Sequence, residues 1–160
     1  MRKKTGRRVP MHWHIRSEDM EKLKVYLAGS CRYAPDEGRA WREQASKMLE
    51  QAAEWKSVSV FVVNPLNYFT YSDSKHKTHK QVKSFYLNKI KNCNVVLCNL
   101  DGTNHSPGTA QELQYAIDHE IPIVGFGTND AYPWLVDVDC DVVFEKITEA
   151  VDYIRDYFME

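Results

Sequence analysis

The sequence predicts an α/β fold in which a parallel β-sheet carries helices on both faces. After about residue 23, short apolar runs rich in β-branched residues alternate with longer segments of helical periodicity, a pattern typical of strand–helix–strand units. The run 94–100 shows no regular polar alternation, as expected for a strand buried on both faces. With 160 residues, of which 43% are hydrophobic, the chain is long enough for the core of one domain.

Five strands are predicted from these apolar runs. The first covers 24–28, and the second covers 58–63 and stops at Asn64-Pro65, because proline cannot continue a hydrogen-bonded ladder. The third is 94–100. Two further runs, 121–126 and 141–144, predict the fourth and fifth strands.

Four helices are predicted between and after the strands, over 36–55, 81–92, about 107–119 and 147–158. Each has apolar residues at the three- and four-residue spacing of an amphipathic helix. The first helix is interpreted as scaffold, with its polar face directed to solvent.

Residues 1–22 are predicted to form a flexible basic arm that precedes a single domain over 23–160. The arm has no sustained helical or alternating pattern, and its basic residues are Arg2, Lys3, Lys4, Arg7 and Arg8. The net charge of the whole chain is only −1, so we expect no nucleic-acid partner. No apolar run approaches the roughly 20 residues that cross a bilayer, and no signal peptide is evident. We therefore expect a cytoplasmic protein without a membrane partner.

The four cysteines are predicted to be free, buried thiols. Cys31, Cys93, Cys98 and Cys140 are scattered without CxxC spacing and without a histidine cluster, so neither a metal site nor a cofactor is expected.

The segment 105–116 is the first candidate ligand site. It follows the third strand and opens the third helix, and open α/β sheets bind ligands where strand ends meet helix starts. Ser106 and Thr109 offer hydroxyls and backbone N–H groups to an anion. Glu112 places a carboxylate one turn further along the helix.

The loop after the first strand is the second candidate. Gly29 lets the backbone approach a ligand closely, while Ser30 and Arg32 have the chemistry to bind phosphate or carboxylate. An ordinary loop with a surface arginine explains these residues equally well.

Taken together, these motifs resemble the nucleoside 2-deoxyribosyltransferase family, including its relatives that hydrolyse nucleoside 5′-monophosphates. The matching segments are 26–32, Trp41-Arg42, Asn64-Pro65, 94–100 and 106–116. The resemblance implies a flavodoxin-like three-layer sandwich with a five-stranded parallel sheet. It also implies a nucleoside or nucleotide substrate, and a homodimer or larger homo-oligomer in which a neighbouring subunit completes the active site.

The resemblance implies roles for individual residues. Glu112 matches the family's nucleophile, and Tyr26 matches a tyrosine that can hydrogen-bond it. A carboxylate that attacks C1′ as the base departs leaves a glycosyl ester, which a second base or water resolves. The residues expected to bind substrate are Gly29, Ser30, Arg32, Asn64, Ser106, Gly108 and Thr109.

Ser106 bears on the substrate class. The transferases that use free nucleosides tend to have aspartate at this position, whereas the monophosphate hydrolases tend to have serine. A hydroxyl at a helix N-terminus favours a 5′-phosphate that a carboxylate would repel. The alternative is that Ser106 only caps the helix.

One position departs from the family pattern. The helix before the third strand usually has an aspartate that helps protonate the departing base, and Tyr86 stands there. Without that acid, the proton would have to come from Tyr86 itself, Asp73 or a bound water. A nucleotide sensor that has lost catalysis therefore stays open as a second function. A third is an NAD-cleaving enzyme of the TIR type, which shares the flavodoxin-like layout and a glutamate that acts on a ribosyl carbon.

Overall fold

The computed structural model describes residues 22–31, 34–68 and 78–160. Within these ranges the structure has five strands and four α-helices, which confirms the predicted α/β fold. In chain order they are β1 (Leu23–Gly29), α1 (Arg39–Lys56), β2 (Val60–Val63), α2 (His79–Lys91), β3 (Val95–Asn99), α3 (Pro107–Asp118), β4 (Ile123–Phe126), β5 (Val142–Phe144) and α4 (Ile147–Phe158).

The five strands form one sheet with the order β2-β1-β3-β4-β5, and every neighbouring pair is parallel. This is the flavodoxin-like strand order that the resemblance implied. The order reverses between β1 and β3, where Gly29 pairs with Asn99 in the register. At such a reversal the two flanking connections leave the sheet on opposite sides, so that a crevice opens beyond the strand ends.

The core consists of two apolar clusters, one on each face of the sheet. Alternate residues of β1 point to opposite faces. Val25 and Leu27 belong to the cluster that includes residues of α1 and α4. Tyr26 and Ala28 belong to the cluster that includes residues of α2 and α3. This alternation places the Tyr26 side chain beside α3, where Leu113 belongs to the same cluster.

Several helix boundaries differ from the sequence prediction for local reasons. The first helix begins at Arg39 instead of 36, because the Asp36 carboxylate accepts the backbone N–H groups of Gly38 and Ala40 in a preceding turn. The second begins at His79, where Thr78 and Gln81 form a capping box. A π-helical turn at Leu135–Asp139 was not predicted.

The four cysteines are free, as predicted, although only Cys93 and Cys98 are buried. Cys31 and Cys140 are partly exposed. None of the helices in the described part of the chain is long and apolar enough to cross a membrane.

Candidate functional site

The carboxyl ends of β1 and β3 bring the two predicted ligand-binding segments to the same edge of the sheet. Gly29 ends β1, and Ser30 follows it with only 8% of its surface exposed. The chain leaving β3 passes through a short 3-10 turn, Thr103–His105, and enters α3 at Pro107. Since α3 packs against β1, residues from the first and third strand–helix connections share one site.

Tyr26 and Glu112 form the buried centre of this site. Tyr26 is completely buried. The Glu112 residue remains partly exposed as a whole, but its Oε2 is shielded from solvent. Neither the Tyr26 hydroxyl nor Glu112 Oε2 has a hydrogen-bond partner of standard geometry among the described residues, although the two groups are close enough to alter each other's pKa.

The enclosure of Glu112 changes its acidity. Burial raises the pKa of this carboxyl group to about 7, and the nearby Tyr26 hydroxyl and the positive charge of Arg42 act in the opposite direction. Burial, and then the negative charge of Glu112, raise the pKa of Tyr26 well above its usual value. At neutral pH Tyr26 therefore stays protonated and can donate a hydrogen bond, while Glu112 is poised between its two protonation states.

Arg42, named from the sequence only within the Trp41-Arg42 segment of the resemblance, was not predicted to lie buried beside this site. Only 1% of its surface is exposed. Its Nη2 donates to the Gly29 carbonyl oxygen at 2.9 Å, and its Nη1 donates to the carbonyl oxygens of Gly38 and Glu37 at 3.2 and 3.4 Å. The prediction that the polar residues of α1 all face solvent is therefore wrong at this residue.

A sequence signal for this burial exists. Arg42 precedes Ala45 and Leu49 by three and seven residues, so it falls on the helix stripe that these buried residues define. Because the polar face of this helix was expected to be directed to solvent, the burial of Arg42 was not predicted.

Two glycines make room for the Trp41–Arg42 pair. Gly38 adopts a φ of +74°, and a Cβ there would collide with the Arg42 guanidinium and lie 2.8 Å from the Ser30 carbonyl oxygen. A Cβ at Gly29 would lie 2.9 Å from the Trp41 ring. The first connection is thus packed too closely to accept larger residues at either position.

At the start of α3, Ser106 and Thr109 hydrogen-bond to each other. Ser106 occupies the N-cap position, but its side chain accepts no backbone N–H of the helix. Its Oγ instead lies 2.7 Å from Thr109 Oγ1, and Thr109 is 1% exposed. The alternative that Ser106 serves as a side-chain cap is therefore wrong.

Thr103 fixes the loop that leads into α3. Its buried hydroxyl donates to the Leu100 carbonyl oxygen at 2.6 Å and accepts the Tyr132 backbone N–H at 3.0 Å. The loop after β3 is thereby tied to the segment that follows β4.

The remaining predicted residues lie in different parts of the fold. Tyr86 lies in α2, half-buried, and its hydroxyl donates to the Pro65 carbonyl oxygen at 3.2 Å. It is near enough to raise the pKa of Tyr26 further.

Asn64 is buried, and its Oδ1 accepts the Leu66 N–H at 3.1 Å. Gly108 is exposed in the first turn of α3. Arg32 and Asp73 lie outside the described residues.

No cluster of three or more His, Cys, Asp or Glu side chains suited to a metal ion occurs within the described ranges. The acid–base groups described at this edge of the sheet include the Glu112 carboxylate, the Tyr26 phenol and the Ser106 hydroxyl. Such groups can perform nucleophilic and proton-transfer chemistry on an organic substrate.

A comparison with protein families identifies a match over most of the chain. The model of the nucleoside 2-deoxyribosyltransferase family matches residues 25–149. Functionally curated protein sequences include no significant match to this chain.

Several solved structures share the fold. A conserved protein from Enterococcus faecalis V583 is 15% identical, with 85% of this chain and 99% of that one covered and a TM-score of 0.66. A 2-desoxiribosyltransferase from Leishmania mexicana is 18% identical, with 86% and 99% covered and a TM-score of 0.59. A 2-deoxyribosyltransferase from Bacillus psychrosaccharolyticus is 20% identical, with 81% and 91% covered and a TM-score of 0.55. At these identities the likeness concerns the fold alone.

Proposed function

Since this chain belongs to the nucleoside 2-deoxyribosyltransferase family, we propose that it cleaves the N-glycosidic bond of a nucleoside or nucleoside 5′-monophosphate through a covalent intermediate on Glu112. The observation that carries this proposal is the enclosed Glu112 carboxylate beside the Tyr26 hydroxyl, with its buried Oε2 in no hydrogen bond of standard geometry with the described residues. Buried polar groups are normally hydrogen-bonded, and an unsatisfied one calls for an explanation. Attack on a sugar carbon provides one.

The reaction proceeds in two displacements. A carboxylate oxygen of Glu112 forms a bond to C1′ while the bond from C1′ to the base nitrogen breaks, and the departing base keeps that electron pair and takes up a proton. A second base or a water molecule then attacks C1′, loses a proton and releases the Glu112 carboxylate. Tyr26 stays protonated and orients the carboxylate as a hydrogen-bond donor.

The departing base needs a proton from another group. Tyr86 stands where the family usually has an acid, and its hydroxyl donates to the Pro65 carbonyl oxygen. Tyr86, Asp73 and a bound water are the candidate donors. A base whose ring nitrogens are easily protonated from solvent would depend least on this group.

We propose a phosphorylated substrate over a free nucleoside. The first turn of α3 contains no acidic residue, so no carboxylate there repels a 5′-phosphate. The paired hydroxyls of Ser106 and Thr109 stand at the positive end of the helix. Gly29, Ser30 and Arg32 from the first connection provide the second anchor, and Asn64 and Gly108 complete the set of proposed substrate contacts.

A second candidate function is nucleotide binding without turnover, as in a sensor. The specific observation behind it is Tyr86, whose phenol is a far weaker acid than the carboxyl group expected at that position. Oligomerisation, with a neighbouring subunit completing the site, forms part of the proposal in either case.

The test is to incubate the protein with deoxynucleosides, with ribo- and deoxynucleoside monophosphates and with NAD, each with and without an acceptor base, and to follow released base by chromatography. Base release from monophosphates alone supports hydrolysis, and turnover only with an acceptor supports transfer. Loss of nicotinamide from NAD would instead favour the TIR type of reaction, and binding without turnover would favour the sensor.

Glu112→Gln is the decisive variant, with Asp118→Asn as the control. Asp118 is an exposed acid on the same helix, so its replacement removes one charge from α3 without touching the site. Glu112→Gln should abolish turnover and Asp118→Asn should preserve it. Unchanged turnover in Glu112→Gln would refute the nucleophile assignment.

A further inference from the structure

The loop after β4 holds the turn that leads into α3. Asp130 makes three contacts with the two residues just before Ser106. Its backbone carbonyl oxygen accepts the Asn104 N–H at 3.2 Å, and its Oδ1 accepts the Asn104 side-chain N–H at 2.9 Å. Its Oδ2 lies 3.1 Å from His105 Nε2. One residue therefore contacts both the backbone and the side chains of this turn.

Further bonds join the same two loops beside Asp130. The Asn129 carbonyl oxygen accepts the Gly102 N–H at 2.8 Å, and Asp101 Oδ1 accepts the Asn129 N–H at 2.9 Å. Gly127 leaves room for this carboxylate, because a Cβ there would lie 2.5 Å from Asp101 Oδ1. These contacts fasten the loop after β3 to the loop after β4 over several consecutive residues.

Asp130 adopts a backbone conformation that costs free energy. Its φ is +52°, in the left-handed region that residues with a Cβ rarely occupy. Glycine would adopt this conformation without strain, but glycine has no carboxylate to contact Asn104 and His105. Strain of this kind persists where the surrounding contacts over-determine it, and it is common at functional sites. The position thus combines a strained backbone with a side chain that holds the turn.

The turn that Asp130 holds is continuous with the side of α3 that faces the site. Ser106 follows directly, and Ser106, Thr109 and Glu112 are spaced three residues apart, so they lie towards one side of the helix. Thr109 is 1% exposed, and the buried Glu112 Oε2 makes no hydrogen bond of standard geometry with the described residues. A displaced turn would therefore move the Ser106 hydroxyl relative to a closely packed helix.

We propose that Asp130 is a positioning residue for substrate binding: by holding the turn before Ser106, it keeps the Ser106 hydroxyl and the Gly108 and Thr109 N–H groups in place for a sugar phosphate. These two N–H groups begin the helix, where backbone donors have no intrahelical acceptor. The inference rests on the proposed function, because it concerns the phosphate contact proposed there. It brings the loop after β4 into substrate binding.

Electrostatic repulsion alone predicts the opposite effect of Asp130. A carboxylate near a bound phosphate repels it, so loss of that charge should strengthen phosphate binding. A positioning role predicts that loss of the side chain weakens binding, because the ligand must then order the turn itself. The sign of the change in affinity therefore separates the two explanations.

The experiment titrates ¹⁵N-labelled full-length protein with 2-deoxyribose 5-phosphate and follows the Gly108 and Thr109 amide signals by NMR. This probe has the phosphate but no base, and 2-deoxyribose is the matched probe without phosphate. Asp130→Gly removes the carboxylate and relieves the positive φ, whereas Asp130→Asn keeps an oxygen that can accept the Asn104 side-chain N–H. The control is Asn129→Ala, because Asn129 contacts the other loop through its backbone.

Asp130→Gly should raise the Kd of 2-deoxyribose 5-phosphate by about fivefold or more. It should also lower the ¹⁵N order parameters of the His105 and Ser106 amides in the ligand-free protein. Asp130→Asn should restore most of the affinity, and Asn129→Ala should match the wild type. The Asp130 side chain is exposed, so these variants should fold, and urea denaturation checks that they do. An unchanged or lower Kd in Asp130→Gly overturns the inference.

The two proposals can fail separately. Failure of the wild type to bind 2-deoxyribose 5-phosphate more tightly than 2-deoxyribose refutes the phosphate contact of the proposed function, and this inference with it. Equal Kd values for the wild type and Asp130→Gly refute this inference alone and leave the Ser106 contact and the Glu112 nucleophile intact. Where turnover is measurable, Asp130→Gly should raise KM for monophosphates while kcat stays within about twofold.

Discussion

Ser106 Oγ and Thr109 Oγ1 lie 2.7 Å apart across the first turn of α3. Because each hydroxyl engages the other, the Ser106 side chain does not occupy the backbone N–H groups that it would cover as a conventional cap. The start of α3 therefore presents the Ser106 hydroxyl, held by the buried Thr109, together with the positive end of the helix dipole. This arrangement favours an anion.

Replacing Ser106 by aspartate should lower kcat/KM for nucleoside monophosphates by about tenfold or more, because a carboxylate within a few ångströms of a phosphate is repelled. The loss for free nucleosides should be much smaller. Ser106→Asn is the matched control, since asparagine has the size of aspartate without its charge. Equal losses on both substrate classes in Ser106→Asp would eliminate the phosphate contact.

Tyr26→Phe should shift the acidic limb of the pH–rate profile to higher pH. The Tyr26 hydroxyl lowers the pKa of Glu112, so its removal leaves the carboxyl group protonated over a wider range. Activity at pH 6 should fall by about tenfold, while activity at pH 9, where Glu112 is ionised in either protein, should fall less. Tyr153→Phe, a tyrosine on α4 that packs in the opposite cluster, should leave the profile in place. A uniform loss at all pH values would show that Tyr26 acts in another way.

Glu112→Gln should change the pH dependence of stability. The folded-state pKa of about 7 lies above the value of about 4.3 expected in the unfolded chain. The folded state therefore binds the extra proton, and this stabilisation is present below about pH 4.3 and is lost as pH rises towards 7. The free energy of unfolding of the wild type therefore falls by up to about 3 kcal/mol over that pH interval.

The variant, which carries no charge at this position, avoids this loss. Its free energy of unfolding relative to the wild type should thus rise by up to about 3 kcal/mol between pH 5 and pH 8, as measured by urea denaturation at both values. Other titrating groups cancel in the comparison. A constant difference across this range would mean that Glu112 titrates normally.

Gly38→Ala should destabilise the fold by about 2–4 kcal/mol, the sum of the penalty for a side chain at positive φ and a collision with the Arg42 guanidinium. Gly102→Ala is the control, because Gly102 has a nearly equal φ of +72° but open space around its would-be Cβ. That variant should lose only about 1 kcal/mol. The free energy of unfolding of both variants is measured by urea denaturation. A similar decrease in the two variants would show that the collision with Arg42 does not contribute to the destabilisation.

The strands and most helices could be predicted from the sequence, because burial of a strand or of one helix face produces a pattern of hydrophobic residues in the sequence. The helix Ile147–Phe158, for example, is predicted with the bounds that the structure gives it. The π-helical turn at Leu135–Asp139 was missed because its geometry depends on packing beneath it, where Leu135 is 1% exposed. Local propensity does not carry that information.

The site was only partly predictable. In a parallel sheet the carboxyl ends of the strands lie at the same edge. The proximity of the Gly29 and Ser106 segments could therefore be predicted from the fold. The pairing of Tyr26 with Glu112 came from the family resemblance, since spacing does not show which side chains converge across a sheet. The buried contact of Arg42 was not predicted because its acceptor, the Gly29 carbonyl oxygen, lies 13 residues away and has no sequence signature as an acceptor. The catalytic and binding roles themselves stay predictions.

The backbone N–H of Lys24 donates to Asn94 Oδ1, a partner 70 residues further along the chain. The central strands β1 and β3 can therefore pair only after the chain has closed a loop of 70 residues. Closing such a loop is slow compared with forming a helix. Tyr26 lies on β1 and Glu112 follows β3, so the two halves of the site meet only once this pair of strands has formed. Activity recovered during refolding should appear with the final cooperative phase and not before it.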